Sequence, residues 1–359
     1  MTLLVRDEAD IVDAQIAFHL NSGVDFVIAT DNGSLDGTRE ILEAYARDGV
    51  LHLIREPGRD MRQEEWVTRM ARLAASDFGA DWVLNSDADE FWWPRRGTLP
   101  EVLATIPPQY GVVGCLWRHF APRPDANSLF FERMTVRLSL SHPWNDPANP
   151  FNVNQKVAHR ADREVIVAWG NHDASAAGLL PLRGWYPIEV LHFPLRTPEQ
   201  FERKVVTAWS AWSKSPTRCP QPHHVTAYDA HREGRLRERY DSFVIDDTVL
   251  ERGLEDGTLV VDTRLRDVLR TLLGDDSRPA RIRPPATGRG GPALQVPDLA
   301  DEAAYAVDAS VLAERDRTRT LARVESLRRQ LTSMELSWSW RITAPLRVSR
   351  HLLRRAAAR

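Results

Sequence analysis

The first ninety residues alternate continuous apolar runs with stretches in which apolar side chains recur every three or four positions. TLLV (2–5), DFVIAT (25–30), VLHLI (50–54) and DWVLN (81–85) are runs of strand length. Between them, Val12, Ile16 and Leu20 form a helical stripe that stops at Asn21 and Gly23. Thr38 to Arg47 carries Ile41, Leu42 and Tyr45 on one face and ends before Gly49, and Val67, Met70, Ala71 and Ala74 mark a third helix. Strand and helix in strict succession predict right-handed crossovers and an α/β fold, a mostly parallel sheet with helices on both faces. In such sheets ligands gather at the carboxyl ends of the strands.

That rule locates two polar turns. DNGSLDGT (31–38) follows the second strand and SDADE (86–90) the fourth, so both are expected on one rim of the sheet. Beyond it the pattern loosens: a short helix over 98–106 capped by Thr98, an apolar strand over 111–117, and a loop-rich region to about 195. Ten of the twelve tryptophans fall between Trp66 and Trp212. Residues 198–214 read as helical, with Phe201, Val205, Trp209 and Trp212 on one face, and 228–273 as a charged helical stretch. The expected organisation is one domain over 1–274, with a nucleotide-binding half to about 117 and an acceptor half over 118–274.

From 275 to 300 the chain carries five prolines and three glycines, the composition of a flexible linker. Over 301–359 a helical tail is expected. Val324, Leu327, Leu331, Met334 and Trp338 step by three and four as in a short coiled coil, a candidate for homo-oligomer contact. The last segment holds six arginines from Arg341 onward, interleaved with apolar residues and without an acid, which suits peripheral contact with an anionic membrane surface.

With 43% hydrophobic and 27% charged residues and a formal charge of -3, a soluble globular protein is expected and a general affinity for nucleic acid is not. The two cysteines, Cys115 and Cys219, are far apart, which excludes a disulfide scaffold and suits a reducing cytoplasm. The first residues lack the basic flank and apolar run of a signal peptide, and no stretch approaches the ~18 apolar residues of a membrane span. A cytoplasmic protein, at most peripheral on the inner face of the membrane, is expected.

The chemistry sits in the two turns. In an extended run Asp87 and Asp89 share one face with Ala88 turned away. One or two carboxylates plus a diphosphate are a sufficient site for Mn²⁺ or Mg²⁺. A polar turn that merely faces water is the competing reading. Asp31 could accept a hydrogen bond from a base or a ribose hydroxyl, whereas Asp36 and Thr38 are explained by capping the next helix. Glu90 is expected on the other face from Asp89, bracing the turn or meeting an acceptor. Trp92 and Trp93 are candidates to stack on a sugar ring, or else to wall the pocket. Lys156 and Lys204 are read as phosphate contacts or solvated surface charges.

Four segments in order resemble a family 2 glycosyltransferase of the subgroup with a D-x-D-E-F turn: V-R-D-E (5–8), D-N-x-S-x-D-G-T (31–38), D-A-D-E-F (87–91) and H-F-P-L-R-T-P-E-Q-F-E-R-K (192–204). The similarity covers residues 3 to about 210. It implies a GT-A fold and a nucleotide-sugar donor held through a divalent cation. It would put Val5, Arg6, Asp31, Asn32, Ser34, Asp87 and Ala88 at the nucleotide-sugar, with Asp89 on the metal and Asp87 beside it. His172 and His192 are alternative further ligands. It implies inversion, which needs a base for the acceptor hydroxyl, with Asp173 the first candidate and Glu189 the second. The expected reaction moves a sugar to a glycan or lipid-linked acceptor, as in the synthesis of cell-surface polysaccharide or glycoconjugate. Competing classes are a metal-dependent nucleotidyltransferase or phosphohydrolase, disfavoured by the lack of a G-x-x-x-x-G-K-[ST] loop, and an inactive scaffold built on the tail.

Overall fold

A computed structural model describes residues 1–58, 62–124, 128–146, 148–212, 221–273 and 299–336. The amino-terminal part follows the expected rhythm: β1 (Thr2–Val5), α1 (Val12–Asn21), β2 (Val27–Asp31), α2 (Thr38–Arg47), β3 (Leu51–Arg55), α3 (Gln63–Ser76), β4 (Trp82–Asp87) and β5 (Glu90–Pro94). There follow α4 (Leu99–Ala104), β6 (Tyr110–His119), α5 (Phe130–Arg133), β7 (Val136–Leu138), β8 (Gln155–Arg160), β9 (Ile166–Val167), β10 (Ala174–Ser175), β11 (Leu180–Leu182) and β12 (Ile188–His192). The helical end comprises α6 (Pro198–Trp212), α7 (Pro222–Arg232), α8 (Leu236–Asp241), α9 (Asp247–Glu255), β13 (Leu259–Val261), α10 (Arg264–Leu273) and α11 (Leu299–Leu336).

The main sheet runs β3-β2-β1-β4-β8-β6-β12-β5, with β11 beside β6. Its first four strands are parallel, β8 is antiparallel to both neighbours, β12 is parallel to β6, and β5 closes the edge antiparallel to β12. This is the mostly parallel α/β sheet with helices on both faces that the periodicity predicts. Alternation along the strands covers it on both sides: Leu3, Val5, Val27 and Ala29 share a cluster with α1 and α2, while Ile28 and Val83 share one with α3. β4 and β5 are joined only through Ala88 and Asp89, yet three strands, β8, β6 and β12, lie between them in the pairing order, so the sheet must curl until β5 returns beside β4.

Where the structure departs from the sequence reading, side-chain period explains it. The stretch 228–273 is interrupted by β13, which pairs antiparallel with β7 after the turn at Gly257, whose φ is 73°. The expected helix over 98–106 covers Leu99–Ala104, where Thr98 and Glu101 form a capping box. β12 went unread because its five residues lie between Pro187 and Pro194 in a loop-like composition. The linker over 275–300 lies outside the described residues except for Leu299 and Ala300, which open α11, and so do Trp338 and the arginines from Arg341 onward. Contacts divide the chain into Met1–Ala309 and Ser310–Arg359.

Trp92 and Trp93 are core residues, correcting their assignment as sugar platforms. Trp92 is fully buried, its indole N–H donating to Ser86 Oγ at 3.1 Å, and Trp93 stacks on Phe18 of α1. Glu189 lies on the same side of the sheet as Trp93, one residue out of phase with His192. It is held by Arg118 at 2.6 Å and Arg264 at 2.9 Å, and Arg118 also pairs with Asp308. Burial disfavours its charge, but the guanidiniums of Arg118, Arg264 and Arg137 outweigh that and hold its carboxyl well below the usual range. A carboxylate so committed is a poor proton acceptor, and the role of base is withdrawn from Glu189.

Trp92→Ala is expected to lower the unfolding free energy by about 3–5 kcal/mol, read from urea denaturation; a ring lining an open cleft would leave the midpoint almost unmoved. Glu189→Gln leaves the buried guanidinium of Arg118 and the partly buried one of Arg264 undercompensated and should cost about 3–5 kcal/mol at pH 7. Because the folded carboxyl is depressed, this contribution is complete above the unfolded value and is lost as pH falls below it. Denaturation series from pH 7 to pH 3 should show the wild type and the variant converging.

Candidate active site

Parallel register brings the strand ends together. Val5 is paired with Asp31 and Leu4 with Asp87, so the β1, β2 and β4 carboxyl ends lie at one level. Beyond them the two loops knit to each other. The Asp31 carboxylate accepts from the Ser34 N–H at 3.0 Å and pairs with Arg39 at 3.0 Å, and Ser34 Oγ accepts from the Asp7 N–H at 3.0 Å. Asn32 donates to the Gly58 carbonyl at 2.7 Å. Asp36 accepts from the Thr38 N–H at 3.1 Å, and Thr38 Oγ1 from the Glu8 N–H at 2.9 Å; both bind the turn, but the N-cap of α2 is Gly37 without a side-chain cap, which corrects the expected capping role. Arg6 sits mostly buried beside Asp7 at 3.6 Å, and Ala88 is buried under the acidic turn.

The acidic run does not stay extended. It turns at Ala88 and Asp89, so Asp87 and Asp89 leave in different directions. Asp87 goes to Lys156, whose ammonium lies 2.6 Å from Asp87 Oδ2, 2.8 Å from Glu90 Oε1 and 2.8 Å from the Gly170 carbonyl. Asn171 donates to the other Asp87 oxygen at 3.2 Å, and Glu90 Oε2 accepts from the Asp87 N–H at 3.0 Å. Lys156 is therefore neither a phosphate contact nor a surface charge: it is buried beneath the turn. Among the described residues, the two non-glycine residues with positive φ are Asp7 (53°) and Asn171 (61°), both in loops at this rim. Such backbone persists only where its surroundings over-determine it.

Asp89 points elsewhere. Its Oδ2 lies 2.7 Å from Lys204 Nζ and 3.6 Å from His192 Nε2, and its carbonyl accepts from the Phe193 N–H at 2.9 Å. Burial works against its charge, yet the Lys204 ammonium and, less strongly, the Arg196 guanidinium hold it well below the usual carboxylate range. Ligand atoms of Asp89, Glu90 and His192 all lie within 4.8 Å of one another. Glu90 thus faces the same cluster as Asp89. The turn removes the alternation that had assigned it to the other face, and full burial removes it from acceptor contact. Burial, reinforced by Asp87 and Asp89 and only partly offset by Lys156, pushes its carboxyl up to about 8.

Of the two histidines, His192 joins this cluster. His172 Nδ1 lies 2.7 Å from the Gln155 carbonyl and its ring meets Trp117 edge-on. Asp173 is exposed, and its carboxylate accepts from the Ala174 N–H at 2.9 Å. Three residues escaped the sequence reading. Arg196, wholly buried, binds Asp10 at 2.6 Å and also Glu8. Burial pushes the Glu8 carboxyl up to about 7 despite Arg196 and Lys204. His119 lies beside His192 with its Nδ1 2.9 Å from that of His192. Glu8 and Arg196 belong to the quoted V-R-D-E and H-F-P-L-R segments, and that membership was the available signal. His119 had none, because strand pairing brings it in.

Residues 14–147 match the model described as glycosyl transferase family 2. No curated protein matches the chain. Matching solved structures include S. aureus TarS 1-349, 11% identical over 71% of each chain with a TM-score of 0.29. The same segment in complex with UDP is 12% identical over 71% of each chain, at 0.28. Another S. aureus TarS structure is 12% identical over 65% of this chain and 42% of that one, also at 0.28. The family match includes β2, β4, Asp31, Asp87 and Asp89, so both acidic turns lie within the stretch that is similar to glycosyl transferase family 2.

Proposed function

We propose that the protein transfers a sugar, with inversion, from a nucleotide-diphosphate donor to a glycan or lipid-linked acceptor, using a divalent cation, in the synthesis of cell-surface polysaccharide or glycoconjugate. The observation that carries this reading is the convergence of Asp89, Glu90 and His192 within 4.8 Å on the ligand-bearing rim. Of these three, the Asp89 carboxylate and the His192 imidazole are donors suited to Mn²⁺ or Mg²⁺, with positions left for phosphate oxygens. Asp89 and His192 would hold the cation, with Asp87 and Glu90 behind them on Lys156. When bound, the cation offsets the negative charge of the departing diphosphate.

The chain's own residues do the rest. Asp31 receives the base or ribose, with Val5, Arg6, Asn32, Ser34 and Ala88 shaping the nucleotide's floor. Lys204 is half-exposed, so its ammonium can leave Asp89 for a diphosphate oxygen when the donor arrives. In the transfer step the acceptor oxygen attacks the anomeric carbon as the bond to the diphosphate breaks, and the hydroxyl proton passes to Asp173, whose carboxylate is open to solvent. Among the described residues no helix is long and apolar enough to cross a membrane. The arginine-rich segment from Arg341 onward supports contact with an anionic lipid surface. Exposed Val324, Leu327, Leu331 and Met334 on α11 support pairing with a second copy.

Calorimetric titration with UDP-, GDP- and TDP-sugars should give Mn²⁺-dependent binding for one base, abolished by EDTA. Asp89→Asn should weaken that binding by about 100-fold or more, since loss of an outer-shell partner alone costs about 10–100-fold, while the melting temperature stays near wild type. Unchanged metal-dependent binding in this variant would sink the metal assignment.

A further inference from the structure

His119 and His192 are cross-strand partners in the parallel pairing of β6 with β12, and both rings are buried. Their Nδ1 atoms lie 2.9 Å apart, so one donates to the other. The far side of His119 decides the direction. Its Nε2 lies 3.0 Å from the Asn152 carbonyl oxygen, which can only accept, so Nε2 carries the hydrogen. A second hydrogen on Nδ1 would create an imidazolium in a buried place where the ring packs on Trp117, Phe151 and His192 and no carboxylate bonds to it. His119 Nδ1 is therefore the acceptor and His192 Nδ1 the donor.

With Nδ1–H given to His119, the neutral His192 ring has its lone pair on Nε2, the atom that faces Asp89 Oδ2 at 3.6 Å. The gap is too long for a hydrogen bond, yet one cation can touch both atoms. Trp117, stacked on the His192 ring with centroids 4.2 Å apart, keeps that ring from swinging away.

We propose that His119 is a positioning residue: with the Asn152 carbonyl behind it, it fixes His192 in the Nδ1–H tautomer and so presents Nε2 as a ready ligand for the divalent cation shared with Asp89. The proposal rests on the metal reading above. Its physical content is pre-organisation, because a ring whose tautomer is already set need not rearrange before it binds.

The test uses the full chain. Histidine-selective ¹⁵N labelling, with the His192 resonances identified by their loss in His192→Gln, reads the tautomer in metal-free protein, and Nδ1–H is expected. Mn²⁺ titration of His119→Asn and His119→Leu then separates positioning from packing. The Asn carbonyl oxygen stands where Nδ1 stood and still accepts, so affinity should hold. Leu cannot accept, and affinity should fall by about 10–100-fold. An Nε2–H tautomer in the wild type overturns the proposal, as do equal losses in both variants or no loss in His119→Leu. Should the Leu variant fail to fold, the wild-type spectrum and the Asn variant still decide. Absence of Mn²⁺ binding by the wild type overturns the metal reading and this role with it, whereas binding by the wild type and both variants alike overturns this role alone.

Discussion

One buried ammonium makes the acidic turn possible. Asp87, Asp89 and Glu90 crowd three carboxylates into four positions at the end of a core strand, and like charges in a desolvated place are costly. Lys156 enters from β8 and meets two of them from beneath, Asp87 at 2.6 Å and Glu90 at 2.8 Å. The same contact helps fix the curl of the sheet, since β4 and β5 are joined through two residues while β8, β6 and β12 lie between them in the pairing order. Asp89, at the tip, is left to a different kind of partner. Its ammonium comes from Lys204, a half-exposed side chain on α6. The turn thus combines a permanent internal countercharge with one that can move.

Alternation along β6 and β12 divides chemistry from structure. His119 and His192 are register partners on one face, while Arg118 and Glu189 meet diagonally across the strands on the other. A slip of one residue would carry the arginine–glutamate pair into the site and the histidines into the packing against Phe18 and Trp93. The ion-pair set of Arg118, Glu189, Arg264 and Asp262 on the rear face therefore specifies register as well as contributing stability.

How much of this was legible follows from how local each signal is. The βα rhythm to residue 87 is written in short-range periodicity, and its strands and helices appear within a few residues of expectation. The rim follows from it, because parallel topology puts the Asp31 and Asp87 turns side by side whatever the side chains do. Facing directions were legible only while the backbone stayed extended. Asp87, Ala88, Asp89 and Glu90 were assigned by strand alternation, and the turn at Ala88–Asp89 reverses the result for Glu90. Trp92 and Trp93 look like cleft residues from their place after an acidic turn, but β5 is covered by α1 and β12, which sequence position alone does not reveal. His119 needed the pairing of strands more than seventy residues apart.

Residues 188–204 complete what the first ninety begin. His192 and Lys204 both reach Asp89, and Arg196 between them is tied to Glu8 and Asp10 in the loop after β1. Tyr240 of α8 donates to the Arg196 carbonyl at 3.0 Å, so the helical end of the chain braces the same loop. Fixing that loop fixes Asp7, whose left-handed backbone turns its N–H onto Ser34 and its carboxylate onto the Leu35 N–H at 2.7 Å. The turn of residues 31–38 is thereby positioned by an arginine that stands more than 150 residues later. An Arg196 that is rigid and a Lys204 that is half-exposed have different consequences for the proposed reaction: the first keeps the rim's shape constant, and the second gives it a charge that can follow the diphosphate.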